Sequence, residues 1–238
     1  MRRTLAICSK ELQLYFYSPT AYVAFAFYVA LSSIMFYMNF VLVDTHVIDP
    51  RLVVGNTTFI YLFIIPLLTM RLVSEEFRHG TDEMLLTSPA SITEIVFGKY
   101  LAALTLQLML VVCSMVYPWI MSDFGNMDLA ILWLSYLSMF LLGATMMAVG
   151  LFASTLSSNQ MVSGIAGFVI LLLLWIIDWA GQGFGGKLKD YIKQFSLTGR
   201  QINLQKGVLH FGDVLFFVML CAVFIILSIQ TLERKRWR

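Results

Sequence analysis

Arg71–Tyr100 reads RLVSEEFRHGTDEMLLTSPASITEIVFGKY, and eight of its thirty residues are charged: Arg71, Glu75, Glu76, Arg78, Asp82, Glu83, Glu94 and Lys99. In the chain as a whole, 238 residues long, only 13% are charged and 59% are hydrophobic. Apolar runs of about twenty residues lie on both sides of this island, the length a helix needs to cross some 30 Å of hydrocarbon. A soluble globule would spread its apolar residues in stripes and hold them near 45–50% of the total. Here they arrive in blocks. Because lipid offers the backbone no hydrogen-bond partners, each block is expected to be α-helical, and short alternating strands of the barrel type are absent. The fold class expected is all-α, a polytopic membrane protein, with a polar insert between its second and third crossings.

Other classes find little support. A net charge of +2 is too small to suggest nucleic acid. The cysteines, Cys8, Cys113 and Cys221, are odd in number and unrelated in spacing, and the histidines (His46, His79, His210) are equally scattered, so neither a disulfide framework nor a metal site is expected. The first apolar block starts near Ala21 and is too long for a signal-peptide core, so it should stay in the mature chain.

Six spans are read at about Ala21–Val43, Leu52–Val73, Tyr100–Met121, Leu129–Thr155, Met161–Ala180 and Phe211–Thr231. An even number puts both termini on one side. Ten of the sixteen basic residues flank that side: Arg2, Arg3 and Lys10, then Arg71, Arg78 and Lys99, then Arg234, Lys235, Arg236 and Arg238. By the positive-inside rule this face is cytoplasmic. The other face holds Arg51 and, in the long last loop, Lys187, Lys189, Lys193, Arg200 and Lys206.

Before the first span, Leu5, Cys8, Leu12, Tyr15 and Phe16 recur at helical spacing, which predicts a helix along the inner interface with Lys10 and Glu11 toward water. Ser18-Pro19 should end it and turn the chain into the membrane. Small residues (Gly143, Ala144, Ala148, Gly150, Ser163, Gly164, Gly167) would let neighbouring helices approach closely, and Pro66 and Pro118 would kink the second and third spans. Asp178 is the one acid within an apolar run. In the last loop, Leu188, Tyr191, Ile192 and Phe195 segregate from Lys187, Lys189, Asp190 and Lys193, the pattern of a helix at the outer surface. Gly181–Lys187, GQGFGGK, matches the first seven positions of a P-loop, but Leu188 stands where Ser or Thr must hold magnesium, and a span rather than a strand precedes it. It reads as a glycine-rich turn, not a nucleotide site.

Within the insert, Gly80 should stop one helix, and Thr81 should cap the next, with Asp82 and Glu83 in its first turn. That second helix would run to Pro89 and carry Met84, Leu85 and Leu86. Ser91 with Glu94 forms a capping-box pattern that would start the third span. A short helix between two breaks, charged at one end and apolar beyond, has the character of a docking element, with Glu75 and Glu76 bracing it against Arg71 or Arg78.

The stretch SEEFRHGTDEMLLTSPASITEIVFGKYLA resembles the signature of the type-2 ATP-binding-cassette (ABC) exporter permeases. Glu76, Gly80, Thr81, Glu83, Leu85, Pro89, Gly98 and Lys99 occupy the positions of that pattern. The N-terminal KELQLYFYSPTAYV and the late FSLTGRQINLQKGVLHFGDVLFF are similar to the gliding-motility-associated branch. The resemblance implies an N-terminal interfacial helix (1–20) and a six-span permease domain (21–238). Within that domain, 74–99 would be a cytoplasmic coupling-helix loop and 181–210 an outer loop with a re-entrant helical hairpin. It implies that Glu76, Arg78, Gly80, Thr81, Asp82, Glu83, Met84, Leu85, Leu86 and Pro89 meet a separately encoded ABC ATPase. This chain would hold no cofactor; the partner ATPase would bind ATP and magnesium. A second permease chain, the same or similar, would complete the path in a prokaryotic inner membrane, with accessory outer-face proteins as further partners. Two other readings stay open: a non-transporting permease-like scaffold of a motility or secretion complex, and a membrane-embedded enzyme, for which the spans supply no nucleophile or paired acids.

Overall fold

The computed structural model describes residues 2–41, 49, 51–81, 90–125, 127–183, 196–207 and 209–236. They form ten α-helices: α1 (Arg2–Tyr17), α2 (Pro19–Phe36, continued by a π-helical turn Tyr37–Val41), α3 (Arg51–Thr69), α4 (Ser74–His79), α5 (Ile92–Ser114), α6 (Val116–Ser122), α7 (Leu129–Leu156), α8 (Gln160–Gly183), α9 (Leu197–Gln205) and α10 (Phe211–Arg236). No strand occurs among the described residues, so the helical class holds. Among the described residues, four stretches are long and apolar enough to cross a membrane: Pro19–Phe40, Ile92–Ser122, Leu129–Leu156 and Phe211–Arg236. The second and fifth expected spans fall on α3 and α8.

The helix α7 is the axis of the bundle. Its apolar window is 78% buried, against 22% for α2 and 28% for α10, and α3, α5, α8, α9 and α10 all pack on it. A helix approached from every side needs room, and its glycines supply it. A Cβ on Gly143 would sit 1.8 Å from Gln107 Nε2, and one on Gly150 would sit 2.1 Å from Thr69 Oγ1. A Cβ on Gly167 of α8 would sit 3.4 Å from the Ala153 Cβ and 4.0 Å from the Gly150 Cα. The glycines thus serve as close-contact points, where side chains of neighbouring helices reach the α7 backbone.

Breaks fall where the local chemistry puts them. Ser18, extended at φ −97° and ψ 135°, caps α2 ahead of Pro19 and separates it from α1. Pro66 lies inside α3, and the helix stops at Thr69, four residues short of the expected Val73, where turns lead into α4. The third expected span breaks at Met115, three residues before Pro118, since a proline ring crowds the turn that precedes it. At the other end of the bundle Arg200 of α9 reaches Asp213 of α10 at 2.9 Å and stacks its guanidinium 4.3 Å from the Phe216 ring.

Two expectations are corrected. Gly181–Gly183, the first part of the expected glycine-rich turn, continue α8 as helix, while residues 184–187 lie outside the described residues. Glu11, expected in water, is 5% exposed; α1 presents Cys8, Glu11 and Tyr15 to the bundle while Leu5 and Phe16 are exposed. The amphipathic stretch Lys187–Phe195 and the side chain of Asp178 lie outside the described residues.

Candidate functional site

The insert hangs from a joint, the turn Met70–Val73 between α3 and α4. A helix that stops and restarts leaves carbonyls and amides without intrahelical partners, and when buried each must find one. Here three other helices supply them. Tyr15 of α1 donates its hydroxyl to the Leu68 carbonyl at 2.5 Å. Ser154 Oγ of α7 accepts from the amides of Val73 at 2.9 Å and Ser74 at 3.1 Å and donates to the Met70 carbonyl at 3.2 Å. Lys99 of α5 donates to the Leu72 carbonyl at 2.5 Å.

That lysine is the centre of the site. Its side chain is 1% exposed, and its ammonium meets Glu11 Oε1 at 2.8 Å and Glu76 Oε1 at 2.9 Å. An ammonium has three donors, and all three are used: one on α1, one on α4, one on the turn between α3 and α4. The position is made possible by Gly98, where a Cβ would come within 2.8 Å of Ile7 Cγ2 and 3.0 Å of the Thr4 carbonyl. Glycine lets α1 lie against α5; the lysine after it then holds α1 there. Two carboxylates on one buried amine leave an excess negative charge, and Lys10, mostly in solvent, stands 3.6 Å from Glu76 to offset it.

A second ion pair ties the same joint to the start of the first span. The Arg71 guanidinium forks onto Glu75, Nε to Oε2 at 3.0 Å and Nη2 to Oε1 at 3.1 Å. Its Nη1 donates to the hydroxyls of Ser18 and Thr20, and the Tyr15 ring lies 5.8 Å from it. On the far side Lys235, near the end of α10, sits 3.8 Å over the Phe77 ring and donates to the Thr155 carbonyl at 2.9 Å. Burial, reinforced by the nearby Glu11 carboxylate, pushes the thiol of Cys8 above its ordinary value. The same two causes, burial first, push up the Tyr15 phenol.

Charge is thus sorted on α4: Glu75 and Glu76 turn inward and are paired, whereas Arg78 and His79 are exposed. Glu75 braces on Arg71 as expected, while Glu76 takes Lys99 and Lys10 instead of an arginine. Gly80 has φ 65° and closes α4 with two bonds, Thr81 N–H to the Glu76 carbonyl at 3.0 Å and Gly80 N–H to the Phe77 carbonyl at 3.4 Å. This is the glycine stop read from the sequence. Ser91 and Glu94 make the reciprocal capping box that opens α5. Of the residues expected to meet a partner, Glu76, Arg78, Gly80 and Thr81 are therefore placed at the outlet of the joint. Asp82, Glu83, Met84, Leu85, Leu86 and Pro89 lie outside the described residues.

Sequence reasoning missed Lys99 and Glu11 as a pair. The available signals were a lysine at the edge of an apolar run, after a glycine, and a glutamate that broke the apolar face of α1. Among the described residues no group of three or more His, Cys, Asp or Glu is placed to hold a metal ion.

No curated protein matches the chain. Residues 5–237, nearly its whole length, match the family model of the ABC-2 family transporter proteins. The chain belongs to the ABC-2 transporter family and is a membrane permease component of an ABC transporter.

Proposed function

We propose that this chain is the transmembrane subunit of an exporter whose power stroke comes from a separately encoded ATPase seated on the insert between α3 and α5. The ATPase binds ATP and magnesium; this chain binds neither. In this reading α2, α3, α5 with α6, α7, α8 and α10 are six spans, both termini and the insert are cytoplasmic in a prokaryote, and two permease chains pair around the path. Within the family the chain falls in the gliding-motility-associated branch, a reading that rests on the two stretches quoted above.

The observation that carries the proposal is the joint. A loop without a partner has no need of a buried ammonium bonded to three separate segments, and taking such charges out of water costs several kcal/mol per ion before pairing. An insert that must transmit force does need it, because a push on α4 then reaches α1, α3, α5 and α7 together.

The test is co-expression with the candidate ATPase and affinity capture from membranes. Replacing Glu83 and Leu85 together by alanine should abolish capture while the thermal unfolding of the permease stays unchanged. Capture that survives deletion of residues 82–89, or labelling of a cysteine at position 78 from outside intact cells, would overturn the reading. Substrate-stimulated ATP hydrolysis in the reconstituted complex then separates transport from scaffolding.

A further inference from the structure

The outer half of α2 meets α3 and α5 around a small cavity lined by the polar side chains of Tyr28, Ser32, Asn56 and Ser114 and by apolar Met35 and Ile60. About 10 Å³ of it is open to the centre of a water molecule, which is room for one water. Tyr28 is 1% exposed. Its hydroxyl neighbours those of Ser114 and Tyr61 but forms no aligned hydrogen bond with either. The other hydroxyls are engaged elsewhere: Ser32 Oγ donates to the Tyr28 carbonyl at 2.7 Å and lies 2.6 Å from the Tyr117 hydroxyl, and Ser114 Oγ donates to the Val111 carbonyl at 2.7 Å. In a membrane an orphan hydroxyl has no solvent to turn to, so leaving it unmet is costly.

We propose that this cavity is a water site and that a single bridging water, anchored on the Tyr28 hydroxyl, joins α2 to α3 and α5. Ser114 Oγ keeps acceptor capacity after its own donation, and Asn56 of α3 lines the same cavity. Entry is short: Asn56 is five residues into α3 from Arg51, about 7.5 Å along the helix. Directly above the cavity α2 widens into its π-helical turn, Tyr37–Val41, with Asn39 donating to the Met35 carbonyl at 2.7 Å. π-turns of this kind recur at functional sites. A water in this place gives α2 a contact it can give up and remake without stranding a polar group, which dry packing cannot offer. The assignment does not depend on the ATPase.

X-ray hydroxyl-radical footprinting of the full chain in lipid nanodiscs reads bound water directly. Tyr28 should be oxidised several-fold faster than Tyr100, a buried tyrosine that is if anything more exposed (7% against 1%) and whose hydroxyl is bonded to the Ala144 carbonyl at 3.1 Å. In Tyr28→Phe, oxidation at Ile60 should fall several-fold because the water loses its anchor. Equal rates at Tyr28 and Tyr100 would mean a dry cavity and overturn the proposal. A fast Tyr28 with Ile60 unchanged in the variant would show water held by other groups and overturn the role of Tyr28. Should Tyr28→Phe fail to fold, the comparison of the two tyrosines in the unsubstituted chain decides alone.

Discussion

Lys99 is the residue on which most depends. Removing one member of a buried ion pair leaves the others charged and unmatched, a loss of about 3–5 kcal/mol. Lys99→Met should therefore lower the thermal midpoint sharply in detergent, whereas Lys10→Met, at a mostly solvated amine, should move it little. The variant also has a local signature. Cys8 lies on the buried side of α1, and its thiol is held protonated at neutral pH by burial and by Glu11. Maleimide at pH 7 should scarcely label Cys8 in the unsubstituted chain, its rate rising only above the usual thiol range, because the thiolate is the nucleophile. In Lys99→Met, with α1 undocked, labelling should become fast at pH 7. If Cys8 stays protected while the protein loses stability, α1 is held by something other than the triad. The position of the triad was only partly legible in the sequence. A charge pattern announces that Glu76 and Lys99 exist, but a partner found on α1 depends on the packing of helices far apart in the chain.

The elements test the same physics through space and backbone. Gly150→Ala would drive a methyl into Thr69 Oγ1, and Gly143→Ala would drive one into Gln107; each should cost about 1–3 kcal/mol as overpacking. Gly164→Ala, where the nearest atoms are the flexible Met70 side chain at 3.4 Å, should be tolerated, and ranking the three by thermal unfolding checks which contacts are tight. Ser91→Ala should cost about 1 kcal/mol by undoing the cap of α5, with loss of amide protection confined to its first turn. These devices were readable in advance because they are local: serine three before glutamate, glycine after a short charged helix, proline after serine. What the periodicity of α1 could not give was its rotation. The expected stripe Leu5, Cys8, Leu12, Tyr15 and Phe16 includes two residues that are buried, Cys8 and Tyr15, but the buried side also takes in Glu11 and leaves Leu5 and Phe16 exposed, because a glutamate matched to Lys99 can be buried where hydrophobicity alone would keep it in water.

At the scale of the whole molecule, block hydrophobicity predicted the helical class and most ends of the long helices to within about five residues, though α5 begins at Ile92, well ahead of the Tyr100 that the apolar block marks. It could not foresee that the second span would end early at Thr69, since the turn Met70–Val73 that follows is apolar apart from Arg71 and is made possible by Ser154, Tyr15 and Lys99 from elsewhere. Orientation gives a direct prediction: single cysteines placed at His79 and at Arg236 should both be protected from a membrane-impermeant reagent in intact cells and both be labelled in inverted vesicles. Opposite labelling of the two would refute the even number of crossings. The buried triad also has a bearing on how the chain is made. Glu11 leaves the ribosome 88 residues ahead of Lys99, so the first helix has no counter-ion to settle against until the third crossing has been delivered to the bilayer. A nascent chain arrested before that point should leave its leading segment open to protease, and one arrested after α5 has cleared the translocon should protect it.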